Sequence, residues 1–184
     1  SMADGDAPPI ARAHALWALA GLEALNEGRV ALAIADTDPR LRIHGLRLAE
    51  RYPDSPRLRS LVIAGLKDRN PGVRRQAAAS VGIVAPGQAA TELVEAMANH
   101  SNDRVLRSAA ISASHGTEND LLEALAWNER WDQPTPDGMT TLQLLVRTIL
   151  ERRNPTSTLE LLELLASLPP DRDWMTESIA TNIV

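Results

Sequence analysis

Side chains that can carry chemistry are present in this sequence, but their spacing does not suggest a reaction. The four histidines stand at positions 14, 44, 100 and 115, without HxxxH or any other metal-ligand spacing. The chain has no cysteine, so it can form neither a disulfide nor a thiolate metal site. It also lacks a GxSxG nucleophile motif and a glycine-rich phosphate loop. We therefore predict no catalytic residue, no metal site and no cofactor, and expect a protein that is not an enzyme.

Charge is unevenly distributed along the chain. The net charge is −5, from 19 basic and 24 acidic residues, yet the stretch 40–75 contains ten Lys or Arg and three Asp or Glu. A basic stretch can bind a phosphate backbone or an acidic protein. A nucleic-acid groove also needs stacking aromatics, and this stretch offers only Tyr52. We therefore predict a solvated or protein-binding face. The residues predicted to contact an acidic partner are His44, Arg47, Arg51 and Arg75.

Tryptophans are the other candidate contact residues. Trp127 and Trp131 are four residues apart, so a continuing helix would place both on one side. Together with the acidic, proline-rich stretch 128–138 they could form a partner-binding element, since loops that interrupt a regular array often carry function. The alternative is that both rings seal the end of the core. Trp17 and Trp174, near opposite ends of the chain, are expected to cap the core.

These residues are positioned by an internal repeat. The stretch 36–45, DTDPRLRIHG, returns as DRNPGVRRQA at 68–77, so each position corresponds to the one thirty-two places further along. Three sets of small or apolar residues follow the same period: Val30, Val62 and Val94; Leu41, Val73 and Val105; Gly45, Ala77 and Ala109. Units this short must stack to bury a continuous core. With aromatics at 3% of residues, that core must consist of Leu, Val, Ile and Ala, a composition that favours packed helices.

Turn residues mark where the helices begin. A capping residue followed by proline occurs at Asp38, Ser55, Asn70 and Asn154, and Asn102 and Thr117 stand at further capping positions. Helices are predicted at about 10–20, 25–35, 39–51, from 56 onward, and at 71–84, 88–99, 103–114, 117–127, 139–152, 154–168 and 172–181. We predict a single domain over 1–184, with regular repeats over about 25–116 and irregular helices over 117–184.

The repeat resembles HEAT repeats. That family places an Asp at the end of the first helix, a Pro near the start of the second and a Val-Arg pair after it. The first unit matches with Asp36, Pro39, Leu41 and Arg42, and the second with Asp68, Pro71, Val73 and Arg74. In the third unit His100, Asp103 and Leu106 replace the Asp, Pro and Arg. The resemblance implies a ladder in which Asp36 pairs with Arg42 and Asp68 with Arg74, and which stops at the third unit.

A narrower resemblance concerns residues 14–22 and 38–50. They are similar to the HEAT segment of large bacterial envelope proteins that join a sorbosone-dehydrogenase-like propeller to a cytochrome c domain. The haem-binding CxxCH of those proteins is absent here. Ser1 and Met2 resemble the remnant of a cleaved tag, which suggests an excised domain. The compartment would be periplasmic for a fragment of such a dehydrogenase and otherwise cytoplasmic.

We thus expect an all-α fold, a right-handed α-α superhelix of about five helical pairs, with second helices lining the concave side. The predicted function is a non-enzymatic scaffold that binds a protein partner or neighbouring domains of a parent chain. One alternative is a structural spacer within a haem-containing dehydrogenase, and another is a HEAT-like enzyme acting on nucleic acid. Net acidity and missing aromatics count against nucleic acid, and no apolar run reaches the roughly 20 residues that span a bilayer.

Overall fold

A computed structural model describes the backbone of residues 7–183 and the side chains of residues 7–180. Within these residues the secondary structure is entirely helical, without a strand. The α-helices are α1 Pro9–Gly21, α2 Glu27–Ile34, α3 Pro39–Ala49, α4 Pro56–Gly65, α5 Pro71–Val84, α6 Ala90–Asn99, α7 Arg104–Ala113, α8 Glu118–Ala126, α9 Pro136–Glu151, α10 Pro155–Ser167 and α11 Asp173–Ile183. Two short 3-10 helices span Glu129–Trp131 and Pro170–Arg172. The predicted fold class, an all-α arrangement of paired helical repeats, is confirmed.

Capping residues begin the helices largely where the sequence predicts. Asp38 accepts a hydrogen bond from the N–H of Arg40, and Asn70 accepts from Gly72 and Val73. Ser55 and Asn154 cap α4 and α10 in the same way, each followed by proline. Since proline lacks an N–H that the first helical turn would leave unpaired, it fits this position at no cost.

Two predicted caps are wrong. Helix α7 is capped by Asp103, whose carboxylate accepts from the Leu106 N–H at 3.0 Å, and not by Asn102. Thr117 precedes α8 but makes no side-chain capping bond, and its hydroxyl donates to the Ser114 carbonyl instead. Helix α9 also begins earlier than expected, because Thr135 caps it through the Gly138 N–H.

Contacts between α-carbons divide the chain into two units at the Pro86–Gly87 bond. In the first unit α2 packs on α3, α4 packs on α5, and α3 packs on α5. The closest approach is at Gly45, where a Cβ would lie 2.6 Å from the Ile34 nitrogen and 2.8 Å from the Ala33 carbonyl carbon. Only glycine therefore allows α3 to meet the backbone of α2 at this point.

In the second unit α8 packs against α6, α9 and α10, and α9 also packs against α11. The core register here differs from the prediction. Val94 is fully buried as expected, but Leu106 and Ala110 are buried in place of Val105 and Ala109, and Val105 is 57% exposed. The spacing of the caps explains the shift, because Asn70 follows Asp38 by thirty-two positions whereas Asp103 follows Asn70 by thirty-three. One extra residue therefore precedes α7.

None of the helices among the described residues combines the length and apolar character needed to cross a membrane. The single domain over 1–184 stays a prediction.

Candidate protein-interaction surface

An arginine ladder forms in the first unit, but its ion pairs differ from those predicted. The Nε and Nη2 atoms of Arg42 donate to the two carboxylate oxygens of Asp68 at 2.8 and 3.0 Å. Its Nη1 donates to the main-chain carbonyls of Asp36 and Thr37 at 2.9 and 3.0 Å. Arg42 thus binds the backbone of its own turn and the carboxylate of the next repeat. The predicted Asp36–Arg42 ion pair is therefore replaced by a pair that joins consecutive repeats.

The carboxylate of Asp36 is bound by Arg12 from α1. Sequence reasoning missed Arg12, although it stands nearly one repeat length before Arg42, in the helix predicted at about 10–20. Asp36 also accepts the N–H of Asp38 at 2.8 Å, and Asp68 accepts the N–H of Asn70 at the same distance. Each aspartate therefore orders its turn while it holds an arginine of the preceding repeat.

Arg74 also differs from its predicted role. Its Nη1 donates to the main-chain carbonyls of Asp68 and Arg69 at 2.8 and 3.1 Å, so the predicted ion pair with the Asp68 carboxylate does not form. That carboxylate is already occupied by Arg42. The Nε of Arg74 is buried and has no acceptor among the described residues.

The second unit repeats the ladder geometry with Arg107, so the prediction that the ladder stops at the third repeat is wrong. Arg107 donates to the Ser101 carbonyl at 3.1 Å and to Asp137 Oδ1 at 2.8 Å. It lies four residues after its cap, as Arg42 and Arg74 do after theirs. The capping positions would have revealed it, whereas the fixed offset between the first two repeats points to Leu106.

The ladder carboxylates are held in their charged form. Burial raises the pKa of Asp36, but hydrogen bonds from Arg12 and the Asp38 N–H outweigh it, and the pKa lies below its ordinary value. Burial also raises the pKa of Asp68, but hydrogen bonds from Arg42 and the Asn70 N–H outweigh it, and that pKa is lowered as well. In the second unit burial is again outweighed at Glu118, where Arg152 donates at 2.7 Å and the pKa is lowered.

An exposed surface that combines an aromatic ring with cations lies where α1 meets α3. The indole Nε1–H of Trp17 donates to His44 Nδ1 at 3.1 Å, with the two rings edge to face. Arg51, just beyond the end of α3, reaches back to the Ala20 carbonyl of α1 at 3.3 Å. Arg47 is exposed on α3 between these two contacts. We call Trp17, His44, Arg47 and Arg51 the α1–α3 patch.

Trp17 is 38% exposed, so the prediction that it caps the core is wrong. Its ring lies against His44 at the surface because the small residues of α1, Ala13 and Ala20, occupy the buried side together with Leu16. Trp174 is partly buried and its indole N–H donates to the Asp132 carbonyl at 3.1 Å.

Other residues of the basic stretch are engaged elsewhere. Arg75 is partly buried on α5 and already interacts with another group. Arg40 pairs with Asp38 at 2.7 Å, and Arg59 donates to the Val84 carbonyl at 2.9 Å. Several of the arginines that make the stretch basic therefore stabilise turns and helix ends.

The structure separates the two candidate tryptophans of the second unit. Trp131 is 6% exposed in the 3-10 helix and packs beside Gly138, so it fits the expectation of a ring that seals the core. Trp127 ends α8 and is 51% exposed. They do not share a face because α8 ends at Ala126, before Trp131. Among the described residues no group of His, Cys, Asp or Glu has the arrangement of a metal site.

The paired helices are consistent with an α-α solenoid. Residues 26–114 match the family model of HEAT repeats. Comparison with curated proteins and with solved structures gave no significant match. HEAT repeats typically act as protein-interaction scaffolds and are generally not enzymes. The narrower resemblance to the envelope dehydrogenases stays a prediction.

Proposed function

We propose that this protein is a non-enzymatic scaffold that binds an acidic segment of a partner protein through the α1–α3 patch. The observation that supports the proposal is the contact between the exposed Trp17 and His44, because Arg47 and Arg51 follow His44 by three and seven residues, the spacing of one helix face. Trp and Arg are the residues most enriched among those that dominate binding energy at protein interfaces. The patch therefore has the composition of a contact surface for carboxylates.

The geometry of the patch favours binding because little has to be ordered when a partner arrives. Trp17 is held by His44, and Arg51 is held by the Ala20 carbonyl. Side chains that are already fixed lose less conformational entropy on association. The exposed guanidinium of Arg47 adds long-range attraction, which increases the association rate with an acidic partner.

The test uses the whole chain and a fluorescein-labelled peptide in which glutamate alternates with alanine. The double variant Arg47→Glu, Arg51→Glu should lose binding of this peptide, measured by fluorescence anisotropy, with only a small change in melting temperature from the lost bond between Arg51 and the Ala20 carbonyl. The matched control is Arg57→Glu, Arg69→Glu, which reverses two exposed arginines outside the patch and should bind nearly as the unchanged protein does. Retained binding by the patch variant would contradict the proposal.

A spacer role within a larger dehydrogenase remains the second candidate, favoured by the resemblance of residues 14–22 and 38–50. In that role the acidic segment would belong to a neighbouring domain of the same parent chain. Sequencing the gene on both sides of this segment decides between the two. Flanking code for a propeller and a CxxCH motif would support the spacer, and their absence would contradict it.

A further inference from the structure

The second unit carries an exposed aromatic residue of its own. Trp127 follows the last residue of α8, and half of its side chain is open to solvent. Asp120 and Glu123 precede it by seven and four residues, which places all three on one face of the helix. A large exposed ring of this kind often marks a binding surface.

Grooves run along both sides of this face. The groove between α6 and α8 has a volume of about 470 Å³, and the groove between α8 and α10 has a volume of about 490 Å³. Asp120, Glu123 and Trp127 line both of them. The indole therefore stands as a ridge between two concave surfaces that an elongated ligand can enter.

Carboxylates determine the charge of these grooves. On the wall formed by α10, Glu160 and Glu163 stand one turn apart and face the same groove as Asp120 and Glu123. Among the described residues, no Lys or Arg lines either groove. The surrounding sequence adds to the effect, because residues 87–184 contain 15 acidic and seven basic residues, a net charge of −8.

One residue that lines the α8–α10 groove, Asn119, has a side-chain acceptor that receives no hydrogen bond from the described residues. The side-chain oxygen of Asn119 is buried and has no partner in the part of the chain that the structure describes. Its amide nitrogen donates to the Ser157 carbonyl at 3.0 Å and to the carboxylate of Glu160. The amide is therefore held in an orientation that leaves its acceptor unused, and an unpaired buried acceptor is costly.

We propose that this surface binds an arginine-rich segment of a partner protein. The guanidinium group suits both the groove carboxylates and the exposed Trp127. It binds a carboxylate with two parallel hydrogen bonds, and it stacks on the face of an indole. Arginines spaced along the segment can alternate between the carboxylates of the two walls, with Trp127 as the stacking platform. Lysine binds carboxylates as a point charge and stacks less well.

The test again uses the whole chain, now with a fluorescein-labelled peptide in which arginine alternates with alanine. Binding should be detected by anisotropy and should weaken as salt rises from about 50 to 500 mM, where screening shortens the range of the attraction. Trp127→Ala alone, and Glu123→Gln together with Glu163→Gln, should each weaken binding about tenfold or more. The same peptide with lysine for arginine should bind more weakly.

Matched controls separate this surface from general acidity. Asp171→Asn removes a carboxylate that lines neither groove, and Val105→Ala truncates an exposed apolar side chain on α7, so both should leave binding within about twofold. Undiminished binding by Trp127→Ala, or competition by spermine as strong as that by the peptide, would overturn the proposal. Self-association of the chain that Trp127→Ala abolishes would also overturn it, since the occupant would then be a second copy.

Discussion

At the scale of single residues, the ladder arginines combine two tasks that the sequence pattern does not distinguish. Arg42 donates to two carbonyls of its own turn and to the carboxylate of Asp68 in the following repeat. Its side chain is 10% exposed and that of Asp68 is 16% exposed. A charge pair this well buried is costly to break from one side, because the remaining charge is left without a partner. The ladder arginines thus connect consecutive repeats through buried ion pairs.

The first prediction compares a buried arginine with an exposed one. Arg42→Ala should lower the free energy of unfolding by about 2–4 kcal/mol, since the Asp68 carboxylate loses its charged donor and the Asp36 and Thr37 carbonyls lose the guanidinium. Arg40→Ala should leave it nearly unchanged, because the exposed Arg40–Asp38 pair is screened by solvent. Urea unfolding of both variants measures the difference. Equal losses would show that the buried Arg42–Asp68 pair contributes no more to stability than the exposed Arg40–Asp38 pair.

At the scale of helices, the sequence predicts the elements well because proline and capping residues act locally. The pairs Asp38-Pro39, Asn70-Pro71 and Asn154-Pro155 begin helices where they are expected to. The third repeat is less well predicted because Asn102 and Asp103 are adjacent and either residue type can cap a helix. Choosing the wrong one shifts the buried face by one residue. The choice depends on the packing of α7, which local sequence rules do not contain.

A second prediction tests the register of α7. Leu106→Ala should cost about 2–5 kcal/mol of unfolding free energy, because Leu106 is fully buried and the truncation leaves a cavity. Val105→Ala should change it by less than about 0.5 kcal/mol, since that side chain is 57% exposed. Urea unfolding again gives both values. A larger loss of unfolding free energy for Val105→Ala than for Leu106→Ala would instead support the register that a constant repeat length predicts.

The candidate contact surfaces were predicted only in part, and the reason is exposure. The spacing of His44, Arg47 and Arg51 places them on one helix face, but nothing in the sequence shows that Trp17 contacts His44 at the surface. Similarly, the four-residue spacing of Trp127 and Trp131 suggests a shared face, and only the end of α8 between them separates the exposed ring from the buried one. Exposure depends on how helices pack, and a helical period alone does not reveal it.

At the scale of the whole molecule, both units rely on carboxylates that must stay ionised. Asp36 and Asp68 in the first unit and Glu118 in the second have folded pKa values below their ordinary 3.8, 3.8 and 4.5. A carboxylate with a lowered pKa in the folded state stabilises it at pH values above the unfolded pKa. That contribution is lost as the pH falls through the folded pKa, because the unfolded chain binds the proton first.

The melting temperature should therefore be nearly constant above about pH 5 and should fall steadily as the pH decreases toward about 2. Asp36→Asn together with Asp68→Asn should lower the melting temperature near neutral pH, because Arg12 and Arg42 lose their charged acceptors, and should flatten the acid limb. Asp171→Asn, which removes an exposed carboxylate, serves as the control and should keep the full slope. An unchanged acid limb in the double variant would mean that the ladder carboxylates do not set the acid stability. A flattened limb would instead show that the charge state of Asp36 and Asp68 limits the stability of the folded repeats in acid.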